Sequence, residues 1–145
     1  MHLKSGTIID FGRAGNYRLF LPRGFSPAED METMTWTAQP VAEIQFVALE
    51  SHVDLLLSCT VEPFLHERHS VFQEAHVFVN GSFVTYQRIY GHASFLIEIP
   101  RGRLSAQGNV LTFVLPKAIS PARYGLGDDR RDLSLAFTRI AVGGR

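Results

Sequence analysis

Cysteine is nearly missing from this sequence: Cys59 stands alone in 145 residues. No disulfide can close within the chain, and a cysteine-based zinc site has no ligand set to draw on. Excess charge is missing too. Lysine plus arginine and aspartate plus glutamate both number 14, for a formal net charge of zero. That balance argues against the basic footprint of a nucleic-acid binder or of a protein drawn to anionic membrane. No apolar run approaches the length that spans a bilayer, so no membrane insertion is expected. The opening MHLKSGTIIDFG has one lysine but no long apolar core, and it does not read as a secretory signal. Cys59 is in phase with Val53, Leu55 and Leu57. It reads as a small buried hydrophobe rather than a reactive thiol, and a reducing cytoplasm is the expected setting.

The marks of an enzyme are absent as well. Gly125-Leu-Gly127 lacks the lysine and the helix that a phosphate loop needs. No serine sits where a strand turns sharply into a helix. His66 and His69 bracket Glu67, but no third metal ligand accompanies them and the metalloprotease spacing is not met. His76 falls on the outer side of a strand and His92 follows Gly91 in a turn. Glu29, Asp30 and Glu32 cluster in one loop and Asp128, Asp129 and Asp132 in another. A carboxylate pair of this kind can serve glycosidic hydrolysis, yet nothing marks one member as buried. The chain is therefore expected to be no enzyme and to carry no metal or cofactor.

What is present is alternation with period two, broken by Gly, Pro and Asn; no stretch keeps a helical period beyond two turns. Strands are expected at Thr7–Phe11, Tyr17–Leu21, Val41–Leu49, Val53–Val61, Ala75–Val79, Phe83–Gln87, Phe95–Ile99, Val110–Leu115 and Leu133–Val142. The run Leu55 to Leu57 reads as buried on both sides. Asn80-Gly81 is the strongest local signal, because both residue types accept the positive φ of a tight hairpin turn. Phe46, Phe95, Phe113 and Phe137 keep core phase. About nine short strands without repeat or linker make one domain, 1–145, folded as an antiparallel two-sheet β-sandwich.

One stretch mixes both signs of charge with a core strand. Ser120 to Phe137 turns at Ser120-Pro121, bends at Gly125 and Gly127, and carries Asp128, Asp129, Arg130, Arg131 and Asp132 before Leu133, Leu135 and Phe137. Such a cluster either pins a loop by salt bridges or walls a polar binding site. Neighbouring strand residues face opposite ways, so one of Arg130 and Arg131 is expected to turn inward toward Glu29, Asp30 or Asp129. That clasp would tie the 25–37 loop to the 128–133 segment. Trp36, the only tryptophan, either plugs the corner of the sandwich or offers its ring to a ligand. Tyr86, Tyr90 and Tyr124 have the same amphipathic character.

Several short motifs together resemble a known family. They are Phe25-Ser-Pro-Ala-Glu-Asp30, Thr35-Trp-Thr37, Ala42-Glu-Ile44, Val77-Phe-Val-Asn-Gly81, Ile99-Pro100, Leu111-Thr-Phe113, and Ser120-Pro121 leading to Gly125, Asp129, Arg130 and Leu133. The pattern, spread from about Phe11 to Val142, resembles the galactose-binding-like jelly-roll module found beside or within bacterial glycosyltransferases and surface-polysaccharide proteins. The resemblance implies a jelly roll and a polysaccharide setting, with a glycan or a glycosyltransferase as partner. On that reading Trp36 and Tyr124 stack on sugar rings while Glu29, Asp129 and Arg130 bond hydroxyls. The alternative is a protein-interaction or self-associating domain, suggested by Leu56, Phe78, Leu96 and Val114 pointing outward.

Overall fold

The computed structural model describes residues 1–26, 33–49 and 53–144. Among them ten strands occur and no α-helix: β1 (His2–Leu3), β2 (Ile8–Asp10), β3 (Thr35–Trp36), β4 (Val41–Ala48), β5 (Leu55–Pro63), β6 (Gln73–Val79), β7 (Ser82–Ile89), β8 (Ala93–Ile99), β9 (Asn109–Val114) and β10 (Leu135–Gly144). The first sheet runs β1-β4-β9-β6-β7 and the second β2-β10-β5-β8, with β3 beside β2 on the free edge of β10. All pairings are antiparallel except the two-residue match of β1 with β4. From β4 onward the chain passes repeatedly between the layers, which makes the sandwich a jelly roll.

The period-two pattern supplies the core. Ala42, Ile44 and Phe46 of β4, Leu111 and Phe113 of β9, and Ala75, Val77 and Val79 of β6 face inward from the first sheet. Leu55, Leu57, Cys59 and Val61 of β5, Phe95, Ile97 and Ile99 of β8, and Leu135 and Phe137 of β10 meet them from the second. Phe137 contacts Phe11, Phe25 and Phe113 at ring-centroid distances of 5.3, 5.4 and 4.9 Å. Burial raises the Cys59 thiol far above its ordinary value, so it packs as a hydrophobe. Leu56 is only half-buried on the outside, so Leu55–Leu57 is a one-sided strand, not the doubly buried one that its composition suggests.

The hairpin at Asn80-Gly81 forms as its residue types require, with φ of 51° and 81°. Tyr17–Leu21 does not form a strand. Tyr17–Phe20 is a 3-10 turn that buries Tyr17 and Phe20, three residues apart and therefore on one side, and Leu21 ends it at φ 48°.

One end of the sandwich is organised by Gln73, a polar side chain with no exposed surface. Its Nε2 donates to the Phe64 carbonyl at 2.8 Å, the Ser70 hydroxyl at 3.3 Å and the Lys117 carbonyl at 3.3 Å. Its Oε1 accepts from the Ser134 hydroxyl at 2.8 Å. One amide thus joins the 64–72 loop, the 115–119 turn and the entry to β10. Replacing it by leucine strands those groups in a dry interior, where each unpaired group costs about 1–3 kcal/mol. Gln73→Leu is expected to lower the melting temperature by about 10 °C in a thermal denaturation.

Candidate functional site

The rim that Gln73 organises also carries the tryptophan. Gly24 begins the approach at φ 77°, where a Cβ would lie 2.1 Å from the Val41 carbonyl oxygen, so only glycine lets the chain run this close. Phe25 then forms a bridge with Thr37, and the Ser26 N–H donates to the Trp36 carbonyl at 2.8 Å. The two threonines of Thr35-Trp-Thr37 are buried. Thr35 donates its hydroxyl to the Phe11 carbonyl, and the Thr37 hydroxyl accepts from the Leu135 N–H at 3.2 Å. In an extended segment the residue between two inward side chains points out. Trp36 accordingly lies half-buried on the outer face of the second sheet, with its ring edge-on to Phe64 at 6.2 Å. It is not the sealed corner plug.

Register carries a polar row away from the indole. Trp36 pairs with Ala136 and Ala136 with Glu62. The Glu62 Oε1 lies 2.9 Å from His92 Nδ1, which fixes the carboxylate on the open face. The next row runs Asp10, Arg139, Thr60, Ser94, with the Thr60 and Ser94 hydroxyls 2.8 Å apart. Arg139 reaches this face because the ladder shifts between Phe137 and Arg139. Phe137 faces the core, and without Thr138 as the extra residue Arg139 would follow it inward. Ile8, Asp10, Thr33, Thr138 and Arg139 line a shallow groove of about 340 Å3 here. Glu62, His92, Asp10 and Arg139 are not singled out by the sequence; only Asp10, alternating with Ile9 and Phe11 in the expected strand Thr7–Phe11, carries a parity signal for this face.

The charged segment does meet this rim, through a different arginine. Arg131 Nε donates to the Asp129 Oδ1 at 3.0 Å and its Nη2 to Oδ2 at 2.7 Å, while the Arg131 N–H donates to Oδ1 at 3.0 Å. Nη1 reaches the Ser26 hydroxyl at 3.0 Å. The Asp132 N–H donates to the Ala38 carbonyl at 3.0 Å, so backbone adds a second tie. Arg130, the other candidate for the inward turn, is exposed. The clasp is Arg131 with Asp129 and Ser26. Of the carboxylates expected to answer an arginine, Glu29 and Asp30 lie outside the described residues, as does Glu32. The Arg131 guanidinium holds the Asp129 carboxyl below its ordinary value of 3.8.

Tyr124 ends a 3-10 turn, Ala122–Tyr124, whose first N–H donates to the Asp129 carbonyl at 2.8 Å. It is 50% exposed, and its ring lies 4.8 Å from that of His69, which stacks on His66 at 5.0 Å. Trp36, Asp129, Arg130 and Tyr124 thus belong to one hydrogen-bonded rim, with the indole on the sheet face and the phenol on the 115–134 loop. Among the described residues no group of three His, Cys, Asp or Glu side chains converges as a metal site.

No protein-family model matches the sequence, and no curated protein does. Among solved structures the chain is similar to a family 35 carbohydrate-binding module from an environmental isolate, at 18% identity and a TM-score of 0.47, over 97% of this chain and 84% of that one. It is also similar to an acetyl xylan esterase from the rumen bacterium Butyrivibrio proteoclasticus, at 15% identity and a TM-score of 0.41, over 99% of this chain and 31% of that one. An active-site mutant of a family two carbohydrate esterase from Clostridium thermocellum gives 9% identity and a TM-score of 0.42, over 97% and 33%. The chain spans about a third of either esterase.

The clasp is about a third exposed, so screening limits it to about 1 kcal/mol. Arg131→Ala is expected to lower the melting temperature at pH 7 by about 4 °C, and Arg130→Ala to leave it within about 1 °C. Because the folded carboxyl titrates below the unfolded one, the contribution is complete above the unfolded value and fades as pH falls through the folded one. The difference between wild type and Arg131→Ala should therefore shrink below about pH 4 in melts run across pH.

Proposed function

We propose that this chain is a non-catalytic glycan-binding module whose binding surface centres on Trp36. The observation that carries the proposal is the half-buried indole on the outer sheet face, in register with a carboxylate held by a histidine. A sugar presents a C–H face that stacks on an aromatic ring and hydroxyls that need donors and acceptors close by. Glu62, His92, Thr60, Ser94, Asp10 and Arg139 offer both kinds on the same face. Tyr124 and Arg130, exposed on the clasped loop, extend the surface at the rim, and Asp129 acts by holding Arg131. Glu29, which the sequence resemblance adds to the candidates, lies outside the described residues. The setting in bacterial polysaccharide synthesis or export, beside a glycosyltransferase and in the cytoplasm, rests on the sequence resemblance and the lone buried cysteine.

A protein-interaction role is favoured by one observation on this sheet. The row Ile8, Ala141, Ser58, Leu96 points outward, and Ile8 and Leu96 are 50% and 57% exposed. Light scattering separates the readings: self-association that Leu96→Asp abolishes would favour the second.

With a single tryptophan, the protein reports on its own site. Titration with oligosaccharides is expected to shift and quench the indole emission saturably. Trp36→Ala should weaken binding about tenfold or more by calorimetry while the fold persists. Unchanged emission and heats across neutral and anionic oligosaccharides would contradict the proposal.

A further inference from the structure

The opposite face of the sandwich carries a second, separately built set of rings. On the outer side of the first sheet Val41 pairs with Val114, Val114 with His76, and His76 with Tyr86. The next row is Glu43, Thr112, Phe78 and Phe83. His76 and Tyr86 lie 4.8 Å apart by ring centroid, and Phe78 and Phe83 lie 5.8 Å apart. Two residues along a strand separate these pairs by roughly 7 Å, and the four strands carry the first row across roughly 14 Å.

Two features show a shaped surface rather than chance exposure. Phe83 points outward only because the β6–β7 ladder shifts between Val77 and Phe78. Val77 pairs with Thr85 on the inner side, so two residues on Phe83 would face the core, but Val84 is inserted and packs against the core instead. A bulge that re-aims a large ring into solvent forgoes its burial, which a core-building strand would not do. Tyr86 is also held rigid. Its hydroxyl donates to Glu74 and accepts from Arg88 Nε at 2.9 Å. An exposed ring fixed at its far end loses little conformational freedom when something stacks on it.

The charges of the face decide the occupant. Arg23 and Glu43 face each other at 3.7 Å at one end, and Glu74 and Arg88 share the Tyr86 hydroxyl at the other. Along the two rows of rings two arginines thus match two glutamates, and Arg103 adds a cation beside Phe83, where its Nη1 donates to the Phe83 carbonyl at 3.0 Å. It runs into a shallow groove of about 230 Å3 lined by Arg23, Gly24, Gln39, Val41 and Glu43. A second copy of the chain would have to bury these charges among the rings, whereas the cores of protein interfaces are depleted in charge. A neutral polymer with apolar ring faces and many hydroxyls matches both the rings and the hydrogen-bonding groups between them.

We propose that this face is a second carbohydrate-contact surface that takes a linear, uncharged polysaccharide laid across β4, β9, β6 and β7, with Tyr86 and Phe83 as its main stacking rings. It shares with the Trp36 reading only the class of ligand. The test is electrophoresis of the full chain through native gels containing hydroxyethylcellulose, xylan or galactomannan. At least one of these polymers should slow the wild-type protein. Tyr86→Ala and Phe83→Ala should each weaken that retention about tenfold, and Trp36→Ala should leave retention that Tyr86→Ala then removes. Near-UV circular dichroism checks folding, and if Tyr86→Ala does not fold, the half-exposed Phe83 carries the test. Migration unaffected by all three polymers overturns the proposal, as does wild-type retention in both ring variants. Loss of all retention in Trp36→Ala alone also overturns it while leaving the Trp36 site standing. A wild-type dimer in light scattering that Phe83→Ala converts to monomer overturns it in favour of a second copy.

Discussion

Two buried threonine hydroxyls determine where the only indole goes. Thr35 and Thr37 are bonded to Phe11 and Leu135 in the interior, and the single residue between them, Trp36, has no freedom left to turn inward. Turning it over would move both hydroxyls out and drive the largest side chain of the protein between sheets already filled by Phe11, Phe113 and Phe137. A slip of one residue exchanges the faces of a strand as a unit. The Trp36 surface therefore depends on hydrogen bonds to which the indole itself contributes nothing.

The rim around it is assembled by side chains that act as cross-braces. Gln73 ties three segments from inside, and Arg131 ties Asp129 to Ser26 from outside. Loops bonded in this way have already lost most of the freedom that a ligand would otherwise have to remove, so the energy of stacking is not spent on ordering the chain. At the far end Asn109 does equivalent work. Its Oδ1 accepts from Asn80 and from the Ser105 N–H, and its Nδ2 donates to the Ser105 carbonyl. Both ends of the sandwich are closed by buried amides, and the two outer faces are left for contact.

Fold class was legible because period two and turn chemistry are local. Alternation in β4 to β10 and the Asn80-Gly81 turn translate directly into sheet and hairpin. Tyr17–Leu21 was misread because its two buried rings are three apart, a spacing that a short strand pattern tolerates but a 3-10 turn explains. The meeting of the tryptophan segment with the charged segment was also foreseeable, down to a single arginine turning inward. Which arginine did so was not, since the irregular backbone before β10 breaks the strand parity used to choose. Bulges hid the rest. Thr138 puts Arg139 on the Trp36 face and Val84 puts Phe83 on the other, and in both cases a parity count assigns the residue to the core. Gln73 was invisible for another reason: a polar residue opening a strand looks solvated unless its partners, up to 61 positions away, are known.

The central claim, that the threonines hold Trp36 outward, is open to a direct measurement: acrylamide quenching of tryptophan fluorescence in the native protein. The account predicts substantial quenching and an emission maximum between those of a solvated and a sealed indole. Thr37→Val, which removes the hydroxyl that Leu135 bonds while keeping the shape, should raise quenching further as β3 loosens. Blue-shifted emission that resists acrylamide in the folded protein would place the ring beneath the loops and contradict the account.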